Sequence, residues 1–132
     1  VLRATGRVPG FAQRSGNFLS IAPPFGPRVS QLAALPQRQT PLLMAEATHR
    51  EVELKLVLPK NAQLVSDLPQ VIVRDAERTV QVHDSSRHGE LTLSRIVDLP
   101  AGRVKPKDYP QFLDFARHAD EALSQSLRVQ LR

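Results

Sequence analysis

The stretch THREVELKLVLP (residues 48–59) decides the fold class. Val52, Leu54, Leu56 and Leu58 fall at every second position, and the charged residues Glu51, Glu53 and Lys55 alternate with them. Successive side chains of a β-strand point to opposite faces, so this alternation predicts a strand with one buried and one solvated face. Strands of that kind are typical of antiparallel sheets.

Further strands are predicted on both sides of this stretch. Turn signals recur at intervals of about ten residues, a spacing typical of a β-sandwich or barrel. Between the strands, RVSQLAAL (28–35) predicts a turn or two of helix, and SSRHG (85–89) predicts a loop. The predicted strands are GNFLSIA (16–22), DLPQVIVR (67–74), RTVQVHDS (78–85), GELTLSRIVDLP (89–100) and LRVQL (127–131).

One long amphipathic helix is predicted near the C-terminal end, over residues 109–127. Asp108 is its predicted N-cap, and Gln111 three residues later completes a capping-box pattern. An apolar face of this kind predicts a helix that packs on a sheet. The residues of that face are Tyr109, Phe112, Phe115, Ala116, Ala119, Ala122, Leu123 and Leu127.

The predicted fold is therefore mainly β, an antiparallel β-sandwich with one long amphipathic helix near the C-terminus. Residues 37–132 form the sandwich-like domain. Residues 1–36 are the least regular part, and two interpretations stay open for them: they pack on the domain, or they belong to an upstream neighbour. The chain opens on VLRATGRVPG without an initial Met, so we expect it to be part of a longer protein.

Composition excludes several functional classes. The chain has no cysteine, which excludes disulfides, thiolate metal sites and a cysteine nucleophile within it. No apolar run reaches the length of about 18 residues that a membrane-spanning helix needs, so no span is predicted. The net charge is +5, but the basic residues stand singly among acidic ones and there is one Tyr and no Trp. We therefore predict no nucleic-acid partner. The oligomeric state stays open.

Two groups of residues have the composition of a metal site. His83, Asp84 and His88 are close in sequence, but a zinc site needs three or four converging ligands, and exposed turn residues are the simpler interpretation. In the helix, Asp114 and His118 are spaced i, i+4, with Glu121 one turn further. They lie opposite the apolar face, which favours a solvated face with local charge pairs. No metal or other cofactor is predicted.

A Ser-His-Asp arrangement can be assembled from Ser85 or Ser86, His88 and Asp84. The sequence around these residues has no nucleophile elbow and no glycine-rich segment for an oxyanion hole. The six glycines are scattered and form no phosphate-binding motif. We predict no catalytic and no cofactor-binding residue, so the chain by itself is not expected to be an enzyme.

Two charged residues break the local pattern. Arg95 stands in the phase of Leu93 and Val97, and Asp120 lies at the edge of the helix's apolar face. A charge in a mostly apolar phase needs a partner or a route to water, because an unpaired buried charge costs several kcal/mol. One hypothesis is that Arg95 and Asp120 meet and lock the helix to the sheet. The alternative is that Arg95 reaches solvent at a sheet edge while Asp120 pairs with Arg117 or water.

Three segments carry a resemblance to a known family: SRIVDLPAGRVKPKDYPQFLDFARHADEALSQSLRVQL (94–131), QRQTPL (37–42) and LVLPKNAQLVSDLP (56–69). In the order and spacing of these segments, residues 37–132 resemble the last domain of a group of bacterial transglutaminase-like proteins. The matching positions are Arg38, Pro41, Pro59, Pro69, Leu99, Pro100, Gly102, Val104, Pro106, Asp108, Tyr109, Phe112, Phe115, Arg117, Asp120, Ala122, Val129 and Leu131.

The resemblance implies an accessory role for this domain. In proteins of that group a β-rich domain comes first, a papain-like core with a Cys-His-Asp triad follows, and a domain of this kind closes the chain. No catalytic residue carries over, since this chain has no cysteine and its histidines match no motif. The implied partner is the upstream transglutaminase-like core of the same polypeptide, on which the module would dock or for which it would position substrate. The implied location is the cell envelope or outside the cell.

The main alternative is a free-standing module that binds protein or glycan at the cell surface, a common use of sandwich folds. A concave groove lined by aromatic side chains would favour that alternative. The six aromatic residues of the chain are scattered along it, which makes an aromatic-rich groove unexpected.

Overall fold

The computed structural model describes residues 3–23 and 28–132, and it confirms the predicted fold class: mainly β, with antiparallel sheets and one helix near the C-terminus. The strands are β1 (Ala12–Ser15), β2 (Phe18–Ile21), β3 (Leu42–Met44), β4 (Thr48–Val57), β5 (Ala62–Leu64), β6 (Gln70–Asp75), β7 (Arg78–Arg87), β8 (Glu90–Leu99), β9 (Gly102–Val104) and β10 (Leu127–Leu131), and the helices are α1 (Tyr109–Leu123) and a 3-10 helix (Val29–Leu32).

The main sheet has four antiparallel strands in the order β4-β8-β7-β6. Along β8 every second side chain is buried, and the apolar side chains of β7 and β4 lie in the same phase. One face of this sheet, here called the inner face, therefore carries the core, and the opposite face is solvated.

The β7–β8 hairpin corrects the predicted loop at residues 85–89. β7 continues to Arg87, and only His88 and Gly89 connect it to β8. Both connecting residues have positive φ, 49° and 78°, as a two-residue type I′ turn requires. His83 and Asp84 lie inside β7, as the predicted strand 78–85 has them, and this corrects their interpretation as exposed turn residues.

A smaller sheet has the order β1-β2-β10-β5, with β10 antiparallel to both of its neighbours. Strand β2 confirms the strand predicted at 16–22, whereas the β1 strand was not predicted. Of the predicted irregular segment 1–36, residues 12–21 thus belong to this sheet, and residues 1–2 and 24–27 lie outside the described part of the chain. Strands β3 and β9 form a separate antiparallel pair.

Helix α1 packs its predicted apolar face inward, and seven residues of that face are buried. The helix ends at Leu123, four residues earlier than predicted, because Leu127 already belongs to β10. Asp108 is the N-cap but its side chain makes no capping hydrogen bond. Gln111 donates from Nε2 to Oδ1 of Asp75 (2.9 Å) instead of closing a capping box, which ties the start of α1 to the β6–β7 turn.

Two hydrophobic clusters cover opposite ends of the inner face. The first joins Val80, Val97 and Leu99 to the apolar face of α1, and the second joins Leu91 and Leu93 to the small sheet. Because Leu91, Leu93, Val97 and Leu99 alternate along β8, both clusters rest on the same face. The helix therefore covers one end of the sheet and the small sheet covers the other.

Candidate functional site

Arg95 lies where the two hydrophobic clusters meet, and its side chain is completely buried. Its guanidinium group binds the equally buried carboxylate of Asp84 in a two-point pair: Nη1 donates to Oδ1, and Nη2 donates to Oδ2 at 3.1 Å. Nη1 also donates to the carbonyl oxygen of Ser94 at 2.9 Å. Nε finds no hydrogen-bond partner within residues 3–23 and 28–132.

This buried pair ties β7 to β8 at the centre of the inner face. In the register Arg95 stands opposite Val82 and Asp84 stands opposite Leu93, so the two charged residues are diagonal neighbours on one face. A fork-shaped Arg–carboxylate pair fixes geometry as well as charge. Solvent does not reach the pair, so a ligand has no access to it.

Asp120 has a different partner. Its carboxylate accepts hydrogen bonds from the backbone N–H of Val29 (2.6 Å) and of Ser30 (3.3 Å). The structure therefore does not bring the predicted pair of Arg95 and Asp120 together: Arg95 binds Asp84 inside the sheet, and Asp120 binds the start of the 3-10 helix. Asp120 does anchor α1, but to the segment that follows residue 27.

The segment of residues 28–36, here called the strap, is held to α1 at two points. Asp120 holds its beginning, and near its end the hydroxyl of Tyr109 donates to the carbonyl oxygen of Leu35 at 2.5 Å. Between the two points the side chains of Val29 and Ala33 are buried in the first hydrophobic cluster. Three hydrogen bonds and two buried side chains therefore fix the strap along the helix.

A groove runs between the strap and the nearby edge of the main sheet. Its first part has a volume of about 210 Å³, and a second part of about 320 Å³ continues it towards β3. Leu32, Thr48 and Leu99 line both parts, so the two are continuous. The groove exists because α1 covers the inner face on the β6–β7 side, while the inner face beside β4 lies open between β8 and the strap.

The walls of the groove are apolar and its two ends are charged. Leu32 is 43% exposed and Leu43 is 60% exposed, which is unusual for large aliphatic side chains grouped on one surface. Arg28 and Arg50 stand at one end, and Glu46 stands at the other. This arrangement suits recognition of a segment that has both apolar and charged side chains.

The histidines do not form a site. His83 is exposed on the solvated face of β7, His88 is in the hairpin turn, and His118 is exposed on α1. Nδ1 of His49 lies 3.7 Å from Oδ1 of Asp98, and both side chains are more than half exposed. Within the described residues no group of three or more His, Asp or Glu side chains could hold a metal ion.

The polar positions of α1 form the solvated face that the sequence predicted. Asp114 accepts a hydrogen bond from Arg117 at 3.0 Å, and both side chains are about two-thirds exposed. Exposed pairs of this kind contribute little to stability. No helix in the described part of the chain is long and apolar enough to cross a membrane.

The other positions that carry the resemblance are structural. Phe112 and Phe115 are core residues, and the guanidinium of Arg38 lies over the Tyr109 ring, 5.8 Å from its centroid. Gly102 begins β9 with a φ of 150°, which favours glycine. The prolines lie between or beside strands: Pro41 before β3, Pro59 after β4, Pro69 before β6, Pro100 after β8 and Pro106 before α1.

Sequence reasoning missed Asp84 as the partner of Arg95. Asp84 follows Val80 and Val82 in the alternating phase of the predicted strand 78–85, and that phase already indicates the inner face. A further signal was the His88-Gly89 dipeptide, since glycine in second position suits a two-residue hairpin turn that brings this strand beside Arg95. The groove was also missed, because it is formed by the strap, β3, β4 and β8, which are distant in sequence.

The chain belongs to the family DUF3858, described as a domain of unknown function with a solved structure, which matches residues 17–129. The fold is also similar to part of a crystal structure from Parabacteroides distasonis, titled a "putative protease", with a TM-score of 0.71 and 14% sequence identity. The similarity covers 90% of this chain and 24% of the Parabacteroides chain. A search of curated proteins gives no significant match.

The likeness at this identity concerns the fold alone. This chain spans about a quarter of the length of the Parabacteroides protein, since the similarity covers 24% of that chain. The fold therefore occurs there as one portion of a chain that is several times longer.

Proposed function

We propose that this domain is a non-catalytic accessory module of a transglutaminase-like protein, and that it docks on, or positions substrate for, the catalytic core of the same polypeptide. The observation that carries the proposal is that a similar fold makes up 24% of the longer Parabacteroides chain, which is titled a "putative protease". The resemblance of residues 37–132 to the closing domain of transglutaminase-like proteins supports it. By the same resemblance, the parent protein works in the cell envelope or outside the cell.

The chemistry of the domain agrees with a docking role. It has no cysteine, and its buried charges Arg95 and Asp84 satisfy each other out of reach of solvent. The groove instead offers exposed aliphatic side chains at Leu32 and Leu43. When a partner covers such a surface, the complex is stabilised by about 25 cal/mol for each Å² of apolar area removed from water.

The test uses the parent polypeptide with a site for a specific protease inserted into residues 3–10. These residues are exposed and have no strand or helix before Ala12, so the insertion leaves the sheets intact. After cleavage, we expect the domain to stay bound to the rest of the protein in size-exclusion chromatography. Release of the wild-type domain would contradict the proposal and would favour the free-standing protein- or glycan-binding module.

A matched pair of variants locates the docking surface. Leu43→Asp puts a charge into the groove, and we expect it to release the cleaved domain. Val57→Asp makes the same kind of change at the far end of β4, where the side chain is 81% exposed, and we expect it to leave the complex intact. Equal behaviour of the two variants would show that docking uses another surface.

A further inference from the structure

Strand β4 breaks its apolar pattern at the end that lines the groove. Its inner-face phase contains Val52, Leu54 and Leu56, but Thr48 and Arg50 occupy the same phase at the beginning of the strand. In the register Arg50 stands opposite Val97, and Thr48 stands opposite Leu99. Cross-strand partners share one face of a sheet. Arg50 therefore lies on the inner face beside buried Val97, away from the solvated face that carries Glu51 and Glu53.

Arg50 and Arg95 are diagonal neighbours on this face, since Val52 pairs with Arg95 and Arg50 pairs with Val97. Arg95 forms an ion pair with the carboxylate of Asp84. Arg50 forms no ion pair with any described residue, and neither does Arg28 across the groove. Arg28 and Arg50 thus line one end of the groove beside Val97 and Leu99, and no acidic side chain in the described part of the chain forms an ion pair with either arginine.

The backbone amides at the start of the strap do not add to this cationic end. The N–H groups of Val29 and Ser30 already donate to Asp120. The capacity to bind an anion therefore rests on Arg28 and Arg50. Arginine is suited to bind a carboxylate at two points, and such charged hydrogen bonds are stronger beside apolar groups that keep water away.

Glu46 gives the groove a direction. It lines the part of the groove near β3, beyond Leu43 and Met44, whereas the arginines line the part near Val97. A ligand with its acidic group at the arginine end avoids repulsion by Glu46 and can lay apolar side chains on Leu32 and Leu43. A ligand in the reverse orientation would place its carboxylate beside Glu46.

From this geometry we propose that the groove binds an extended peptide segment in which an acidic residue adjoins apolar residues, and that the catalytic core of the same polypeptide supplies it. The carboxylate lies between Arg28 and Arg50, and the apolar side chains lie against Leu32 and Leu43. This inference rests on the proposed function and names the chemistry of the partner surface.

The first experiment repeats the cleaved-parent assay with reversed charges. Arg50→Glu replaces the cation with an anion, and we expect the affinity of the cleaved domain for the rest of the protein to fall about tenfold or more, the size of a lost charged hydrogen bond. Arg74→Glu is the matched control, because Arg74 is exposed on the β6 edge strand, at the opposite edge of the same sheet. We expect the control to change the affinity less than twofold.

The outcomes separate the two proposals. If the wild-type domain stays bound and Arg50→Glu weakens binding no more than Arg74→Glu, the acidic-segment inference is overturned and the docking function stands. If the wild-type domain is released, both are overturned, since no part of the parent protein then fills the groove.

The second experiment uses the 132-residue chain by itself. Every strand in its described part pairs with another strand of the same chain. The probe is a synthetic peptide with one aspartate followed by three leucines, and the control peptide has asparagine in place of aspartate. In amide NMR spectra we expect the aspartate peptide to shift signals of Leu32, Thr48 and Arg50, and to bind about tenfold more tightly than the control. Equal affinities, or shifts confined to other surfaces, would overturn the inference.

Discussion

The two inner-face arginines show how one departure from a strand pattern has two outcomes. Arg95 is completely buried at the centre of the sheet and binds Asp84, whereas Arg50 lies one diagonal step away at the open edge and binds no described acidic residue. An unpaired buried charge strongly destabilises a folded protein, and at the centre of the sheet the carboxylate of Asp84 neutralises Arg95. An edge arginine reaches water and needs no such partner. Burial therefore distinguishes an arginine that holds the fold from one that is free to bind a ligand.

Removing the partner of Arg95 is the strongest test of this comparison. Asp84→Ala leaves a buried guanidinium uncompensated, and we expect the free energy of unfolding to fall by about 3–5 kcal/mol. Urea denaturation of the 132-residue chain measures the loss. The control is the double variant Asp84→Leu with Arg95→Met, in which both charges are replaced by apolar side chains, and it should recover most of the stability. A double variant as unstable as Asp84→Ala would show that packing, and not the unpaired charge, sets the cost.

A smaller effect is expected where α1 holds the strap. Asp120→Ala removes the acceptor for the Val29 and Ser30 amides, and the expected loss of stability is about 1–2 kcal/mol, as for a lost helix cap. Faster hydrogen exchange at these two amides would localise the effect to the strap. Asp114→Ala removes an exposed carboxylate from the same helix and should cost less than about 0.5 kcal/mol. Equal losses in the two variants would contradict a specific tether.

The smallest effect on stability is expected at Arg50. Its side chain is exposed and unpaired among the described residues, so Arg50→Ala should change the free energy of unfolding by less than about 0.5 kcal/mol. Urea denaturation with an unchanged slope checks this expectation. A loss comparable to that of Asp84→Ala would mean that Arg50 supports the fold, and the contrast with Arg95 would no longer hold.

Much of the fold was predictable because it depends on local alternation. The strands from Val52 to Leu99 and the apolar face of α1 follow periods of two and of about 3.6 residues, which a sequence displays directly. The end of α1 was placed too late because Leu127 continues the helical phase, although it packs in β10. Tertiary pairing decided that boundary, and periodicity could not.

The site was less predictable because its parts meet only in three dimensions. Arg95 was recognised as a phase break, but Asp84, which lies in the predicted strand 78–85, was interpreted as an exposed turn residue, and Asp120 was chosen as the partner instead. Asp120 lies 91 positions from Val29, the residue whose amide it binds. No local pattern marks such a contact, and the strap that it fixes forms one wall of the groove.

The position of β10 has a consequence for how the protein is made. This strand lies between β2 and β5 and pairs with both, so the smaller sheet cannot assemble until residues 127–131 have left the ribosome. Until then Leu91 and Leu93 lack the cover that Leu127 and Val129 provide. Contacts between strands so far apart in sequence form slowly, and uncovered apolar strands aggregate readily. While β10 is missing, the second and smaller hydrophobic cluster of the nascent domain therefore lacks part of its cover, and the synthesis of β10 ends that period.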